Sequence, residues 1–146
     1  MSHNYPKWAE LPELELYLDQ VLLYVNQVCG SAASSRDKGL TPSMVNNYVK
    51  HGHVEKPAKK KYSRTQVARL IAITCLKNVF SIQEISYILE KLKEDRDSQT
   101  LYDYFVSCMN NEEASDTPSV ISSACQTLKL YHPTHQLVQE LEDHSQ

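Results

Sequence analysis

Apolar residues recur at three- and four-residue intervals through most of the chain, the period of helices with one buried face. The first run, Leu14, Leu18, Val21, Leu22, Val25 and Val28, predicts a helix over about residues 13–29. Glu10, Glu13 and Glu15 crowd its expected first turn, where the helix dipole favours negative charge, and Gly30 stands at the C-cap. The segment SAASSRDKG that follows is a polar loop. Thr41-Pro42 then opens a second helix, because threonine caps well and a proline at the first helical position gives up no hydrogen bond. That helix is short, about Pro42 to Lys50. Val45, Val49 and Met44 form its apolar side, which leaves Asn46, Asn47 and Lys50 on another face.

A strand-like or irregular piece runs from His53 to Ala58, contains Pro57, and leads into Lys59-Lys60-Lys61. Ser63 and Gln66 make a capping box for the next helix, whose buried stripe is Val67, Leu70, Ile71, Thr74 and Cys75, with Arg64 and Arg69 outside it. A second box, Ser81 with Glu84, opens a helix that turns Ile82, Ile85, Ile88, Leu89 and Leu92 inward. It fades through KEDRDSQ, a charged turn and a boundary near Asp97. The remainder reads as three shorter helices: about Ser98–Asn110, Pro118–Tyr131 with Thr117 as cap, and Thr134–Glu142. Ahead of everything, a polar lead-in with Pro6 and Trp8 is expected to be a strap packed by its one large aromatic. The fold class is all-α with at most a short two-stranded wing. Only three glycines and no sustained alternation argue against an all-β fold. Residues 1–97 form the expected main unit, and 98–146 an acidic helical extension packed on it.

Charge changes the picture more than composition does. Between Arg36 and Lys77 lie ten basic residues: Arg36, Lys38, Lys50, Lys56, Lys59, Lys60, Lys61, Arg64, Arg69 and Lys77. Two acids, Asp37 and Glu55, oppose them, a local net of +8; the whole chain carries −3, which leaves −11 for the rest. A basic centre in an acidic chain is the pattern of a polyanion-binding surface. Without an apolar run near 18 residues or a charged-then-apolar leader, a cytoplasmic protein is expected, neither secreted nor membrane-spanning. Cys29, Cys75, Cys108 and Cys125 are far apart and form no C-x-x-C pair, so free and mostly buried thiols are expected.

The order helix, glycine turn, wing, capped helix is that of a winged helix-turn-helix. NYVKHGHVEKPAKKKYS resembles the recognition-helix-to-wing segment of MerR-type transcription regulators through Tyr48, Lys50, Gly52, Pro57, Tyr62 and Ser63. VFSIQEISYIL is similar to that family's Gly-Phe-Ser-Leu-Glu-Glu-Ile segment through Phe80, Ser81, Ile82, Glu84 and Ile85. This likeness covers about residues 40–90. The whole chain, including PKWAELPELELYLDQVLLYVNQV, also resembles a bacterial family, domain of unknown function 1836, to which a MerR-like DNA-binding region is assigned. The resemblance implies a DNA-binding transcriptional regulator whose partner is double-stranded DNA. Its short helix would enter the major groove with Ser43, Asn46, Asn47 and Lys50, while Lys59, Lys60 and Lys61 hold phosphates. Lys56 and Tyr62 flank that wing. Arg64 and Arg69 could reach the backbone from the following helix, and Tyr48 either touches a phosphate or packs inward.

Departures from the MerR pattern concern the reading positions. MerR proteins carry an Arg and a second Tyr where this chain has Asn46 and Asn47; asparagine reads adenine bidentately, whereas arginine takes guanine or phosphate. The wing is shorter and lacks Gly-Tyr-Arg. A two-fold dimer is the usual form of an operator-binding protein of this size, yet no heptad is sustained beyond Leu92, so a long pairing helix is not expected. His51 with His53, and His132 with His135 near Cys125, lack a third ligand at zinc-like spacing, so no metal or other cofactor is expected. Without a Gly-rich phosphate loop or nucleophile elbow, an enzyme is not expected either. The alternative is a protein–protein interaction module on a winged-helix scaffold, favoured by the acidity outside the basic centre.

Overall fold

Three helix starts follow from side chains within one turn of the backbone they cap. The Thr41 hydroxyl accepts from the Met44 N–H at 3.3 Å. Ser63 and Gln66 satisfy each other's backbone N–H groups at 3.5 and 2.7 Å, and Ser81 and Glu84 do the same at 3.1 Å each. These caps place α2 at Pro42–Lys50, α3 at Arg64–Leu76 and α4 at Ile82–Leu92. The computed structural model describes residues 4–30 and 39–144. The polar loop expected over SAASSRDKG therefore lies outside the described residues except at Gly39, as do Arg36, Asp37 and Lys38 of the basic stretch.

The protein is mostly helical with a small antiparallel sheet. β1 is Leu16–Tyr17, α1 Leu18–Val28, β2 Lys61–Tyr62, α5 Ser98–Met109 and α6 Ser119–His144. α3 is the axle. It is buried almost all round, from Gln66 through Cys75, and touches α1, α4, α5, α6 and β2. Leu70, Ile71 and Ile73 are its fully buried large side chains. Residues from both sides of Asp97 share this core, since Leu101, Tyr102, Phe105 and Val106 of α5 belong to the same cluster. Among the described residues no helix is long and apolar enough to cross a membrane.

Several local expectations are corrected. α1 begins at Leu18, not near Glu13: Leu16 and Tyr17 are extended, pairing with Tyr62 and Lys61, and the Gln20 side chain caps Tyr17 N–H at 2.9 Å. Leu14, expected in the buried stripe, is 82 % exposed. Gly30 lies beyond the end of α1 without a positive φ, and Cys29 is the C-cap. The segment 98–144 forms two helices rather than three, because α6 runs on through Pro133. A proline inside a helix removes one hydrogen bond and costs roughly 3 kcal/mol; nearby, the Thr134 hydroxyl donates to Leu130 O at 2.8 Å. Thr117 does not cap α6; its hydroxyl donates to Ala114 O at 2.7 Å, and the helix starts at Ser119.

The strap is held chiefly by α5. Asn110 grips the backbone of Tyr5 through both amide atoms (2.8 and 3.0 Å), Asp103 accepts from Trp8 N–H, and the Tyr102 hydroxyl donates to Pro6 O. Trp8 meets Tyr102 edge-on at 6.2 Å, but Tyr5 and Leu11 are the strap residues that are buried. All four cysteines are free and buried, as their spacing suggests. Cys29 and Cys75 approach to 3.5 Å, and the hydrogen bond between them together with burial pushes the Cys29 thiol well up.

Candidate nucleic-acid interface

α2 is amphipathic, and its polar side is the one left open. Val45 and Tyr48 are buried, whereas Ser43, Asn46, Asn47 and Lys50 are all exposed. At roughly 100° per residue these four occupy about 100° of the helix surface, a single face. The Asn26 side chain holds the start of α2 on α1: its Nδ2 donates to Leu40 O at 3.0 Å and its Oδ1 accepts from Leu40 N at 2.8 Å. Gly39, just ahead, has φ +67°, and any Cβ there would run into Asn26 Oδ1. At the other end Gly52, φ +77°, closes a Schellman motif, with Gly52 N donating to Val49 O and His53 N to Tyr48 O. The clamp and the motif fix where the polar face of α2 points.

The lysine segment is a tight turn. Lys61 N donates to Ala58 O at 2.9 Å, Ala58 and Lys61 form an isolated antiparallel bridge, and Lys59 and Lys60 between them have φ +52° and +66°. Two successive positive φ values define a type I′ turn, whose usual occupants are Asn-Gly. The expected wing is thus a turn that leads into β2, and the strand partner of β2 is β1 from ahead of α1, the 53–58 segment adding only the single Ala58–Lys61 bridge. That pairing joins segments more than forty residues apart and carries no local signal.

The two features converge. Asn46 and Val49 of α2 face Lys56, Pro57, Lys59, Lys60 and Tyr62 across an open cleft of about 430 Å³. Asn46, Lys56, Lys59 and Lys60 are exposed around it, with Asn47, Ser43 and Lys50 along the same helix. Lys61 is apart from the other two lysines: it sits in β2, half-buried, with Nζ 5.4 Å from the centre of the Tyr17 ring. That is cation–π distance.

Four residues expected at the interface do not project into solvent. Tyr48 and Tyr62 are buried, and burial raises both hydroxyls above the ordinary phenol range. Arg64 is half-buried and donates to Leu11 O at 3.4 Å. Arg69 is committed inward, its side chain only 13 % exposed: Nε donates to His53 O at 2.6 Å, one terminal nitrogen to Ser86 Oγ at 3.3 Å, and the other pairs with Glu90 at 2.8 Å. It ties the turn after α2 to α4. His53 joins the same knot through Ser86 Oγ at 3.0 Å, and its ring stacks with His51. Pro57 and Val49, which carry no charge or hydrogen-bonding side chain to mark them in the sequence, line the cleft.

Arg69→Ala tests this placement. Losing two hydrogen bonds to half-buried acceptors and a partly exposed ion pair should lower stability by roughly 2 kcal/mol, read from a urea transition. Any duplex binding measured for the parent chain should persist in the folded variant. Loss of such binding at unchanged stability would return Arg69 to the phosphate role expected from sequence.

Among the described residues no three His, Cys, Asp or Glu side chains gather closely enough to hold a metal ion. Neither a curated protein nor a solved structure matches this chain. The family model described as Domain of unknown function (DUF1836) matches residues 6–105, from the strap through most of α5 and so including the whole cleft, and the chain belongs to that family.

Proposed function

We propose that this protein binds double-stranded DNA, with α2 in the major groove and the Lys59–Lys60 turn on the flanking phosphates, and that it acts in transcription regulation. The proposal rests above all on Lys59 and Lys60, which carry positive φ at the tip of a turn beside the open polar face of α2. Lysine in the left-handed region costs about 1–2 kcal/mol per residue relative to glycine. Strain of that kind is retained where the side chain has work to do. Charge at the tip is such work. α2, at nine residues, is roughly 13 Å long, and a helix fits a groove about 12 Å wide. Asn46 and Asn47 offer the amide geometry that pairs with adenine N6 and N7; Ser43 and Lys50 extend the same face. The likeness of residues 40–90 to MerR-type regulators supports the same reading. The chemistry is binding, without a catalytic step or a cofactor.

A second reading, a protein-interaction module that does not bind nucleic acid, draws on another surface. An apolar groove of about 230 Å³ opens between α3, α4, α5 and α6, lined by Ile88, Leu89, Leu92, Phe105 and Val120 among others. One titration separates the two. The full chain, net charge −3, should bind a random duplex at low salt and release it steeply as salt rises, with a log–log slope of about −3 if Lys56, Lys59 and Lys60 each neutralise a phosphate. No change in fluorescence anisotropy at low salt would remove the DNA reading and leave the groove.

A further inference from the structure

α4 has an apolar face that the rest of the chain covers only in part. Ile85 is buried, but Ile88, Leu89 and Leu92, on the same side of the helix, remain half-exposed. α4 rests chiefly on α3, and the apolar groove of about 230 Å³ separates it from α5 and α6. Small side chains give the groove its depth: Ala68 and Ala72 of α3 are buried, and Ala124 of α6 is half-buried. Ser123 and Thr127 of α6 stand exposed at its rim.

Size and charge narrow what could fill it. An apolar cavity of about 150 Å³ takes up benzene, so this groove suits a ligand of roughly ten heavy atoms. Polar groups enter the lining at the connection between α4 and α5, through Lys93 and Ser98. The acids around Lys93 are engaged elsewhere. Glu90 pairs with Arg69 at 2.8 Å, Glu94 with Lys91 at 3.6 Å and Asp95 with Arg96 at 2.8 Å, while Asp97 accepts from Thr100 N–H at 2.8 Å. Among the described residues Lys93 has no ion-pair partner, and Arg69, the other cation of the lining, is held by Glu90. The groove is thus apolar in its depth, with one uncompensated positive charge at its edge.

We propose that the groove binds a free alkyl carboxylic acid of about eight carbons, its chain between α4 and the α5–α6 pair and its carboxylate at the Lys93 ammonium. The chain takes out of water the faces of Ile88, Leu89 and Leu92 that α4 leaves exposed. Lys93 is itself exposed, so the carboxylate stays at the solvent edge, where it keeps much of its hydration and gains an opposite charge. The deep part lies among buried alanines, which a methylene chain can reach and a helix about 10 Å across cannot. This site does not depend on DNA binding, and it gives the groove an occupant other than a partner protein.

Calorimetric titration of the full chain should show octanoate binding saturably. Affinity should rise about fourfold per methylene from butanoate to octanoate and level off once the chain outgrows the groove. Lys93→Ala should weaken octanoate about two- to fivefold, the scale of an exposed ion pair, and leave octanol unchanged. Thr127→Trp, at an exposed position on the rim, should abolish binding of both, whereas Leu130→Trp, exposed but outside the lining, should change neither. A thermal transition of each variant checks that it is folded, and the chain-length series and the Lys93 comparison hold whether or not Thr127→Trp folds. A flat titration would overturn the proposal and leave the groove to a partner protein. Affinity independent of chain length, or unchanged in folded Thr127→Trp, would put the ligand elsewhere. An octanoate affinity indifferent to Lys93→Ala would remove the carboxylate from the site; each of these results also overturns it.

Discussion

Replacing Lys59 by Asn and Lys60 by Gly is expected to make the protein more stable and, under the proposed function, to weaken binding to DNA. The turn is already type I′, and Asn-Gly is the pair that geometry favours, so the swap relieves two residues at positive φ. The gain should be about 1–2 kcal/mol in a urea or thermal transition. The same swap removes two charges from the tip. Each phosphate contact contributes about 0.9 to the salt slope, so the slope should fall by about 2 and affinity near 0.1 M salt by on the order of fiftyfold. Adding Lys56→Ala should bring the loss to several hundredfold, at roughly another 0.9 in slope. Lys61→Ala should do much less, because that ammonium lies over the Tyr17 ring. Opposite signs for stability and binding are the diagnostic outcome. A more stable variant that binds DNA unchanged would make the turn purely structural, and a less stable one would contradict its geometry.

Leu70→Ala should have the largest effect on folding. Leu70 is fully buried on the helix that touches α1, α4, α5, α6 and β2, so neighbours on several sides cannot collapse together into the space it leaves. Leu→Ala at such sites costs about 3–5 kcal/mol, a large part of the 5–15 kcal/mol typical of a domain, and should lower the melting temperature by roughly 10 °C. Leu14→Ala is the matched control: the same chemistry at an exposed position should stay within about 0.5 kcal/mol. Both leucines fall at helical spacing in the sequence. Similar costs for the two would mean that the described packing of the strap or of α3 is wrong.

That pair of leucines marks the limit of periodicity. Spacing identifies a face only where a helix exists, and Leu14 lies in the extended lead-in that the β1–β2 pairing holds out of α1. Arg69 illustrates the same limit from the polar side. Its charge sets it outside the apolar stripe of α3, but three acceptors contributed by the turn after α2 and by α4 draw it in. The continuity of α6 is hidden differently. Pro133 divides the segment when read locally, whereas the structure runs one helix from Ser119 to His144.

By itself the sequence determined the parts whose causes lie within a turn of backbone: the caps at Thr41, Ser63 and Ser81, the extents of α2 and α3, the buried cysteines and the basic centre. It also placed Ser43, Asn46, Asn47 and Lys50 on one open face, since a nine-residue amphipathic helix leaves little choice. Tertiary structure alone decided that β1 pairs with β2, that Lys59 and Lys60 reach the cleft of Asn46 while Lys61 does not, and that α6 continues through a proline. The physical reason is range. Capping and amphipathicity are energies between near neighbours in the chain, whereas the cleft and the β1–β2 pairing depend on segments that meet only after the core around α3 has formed.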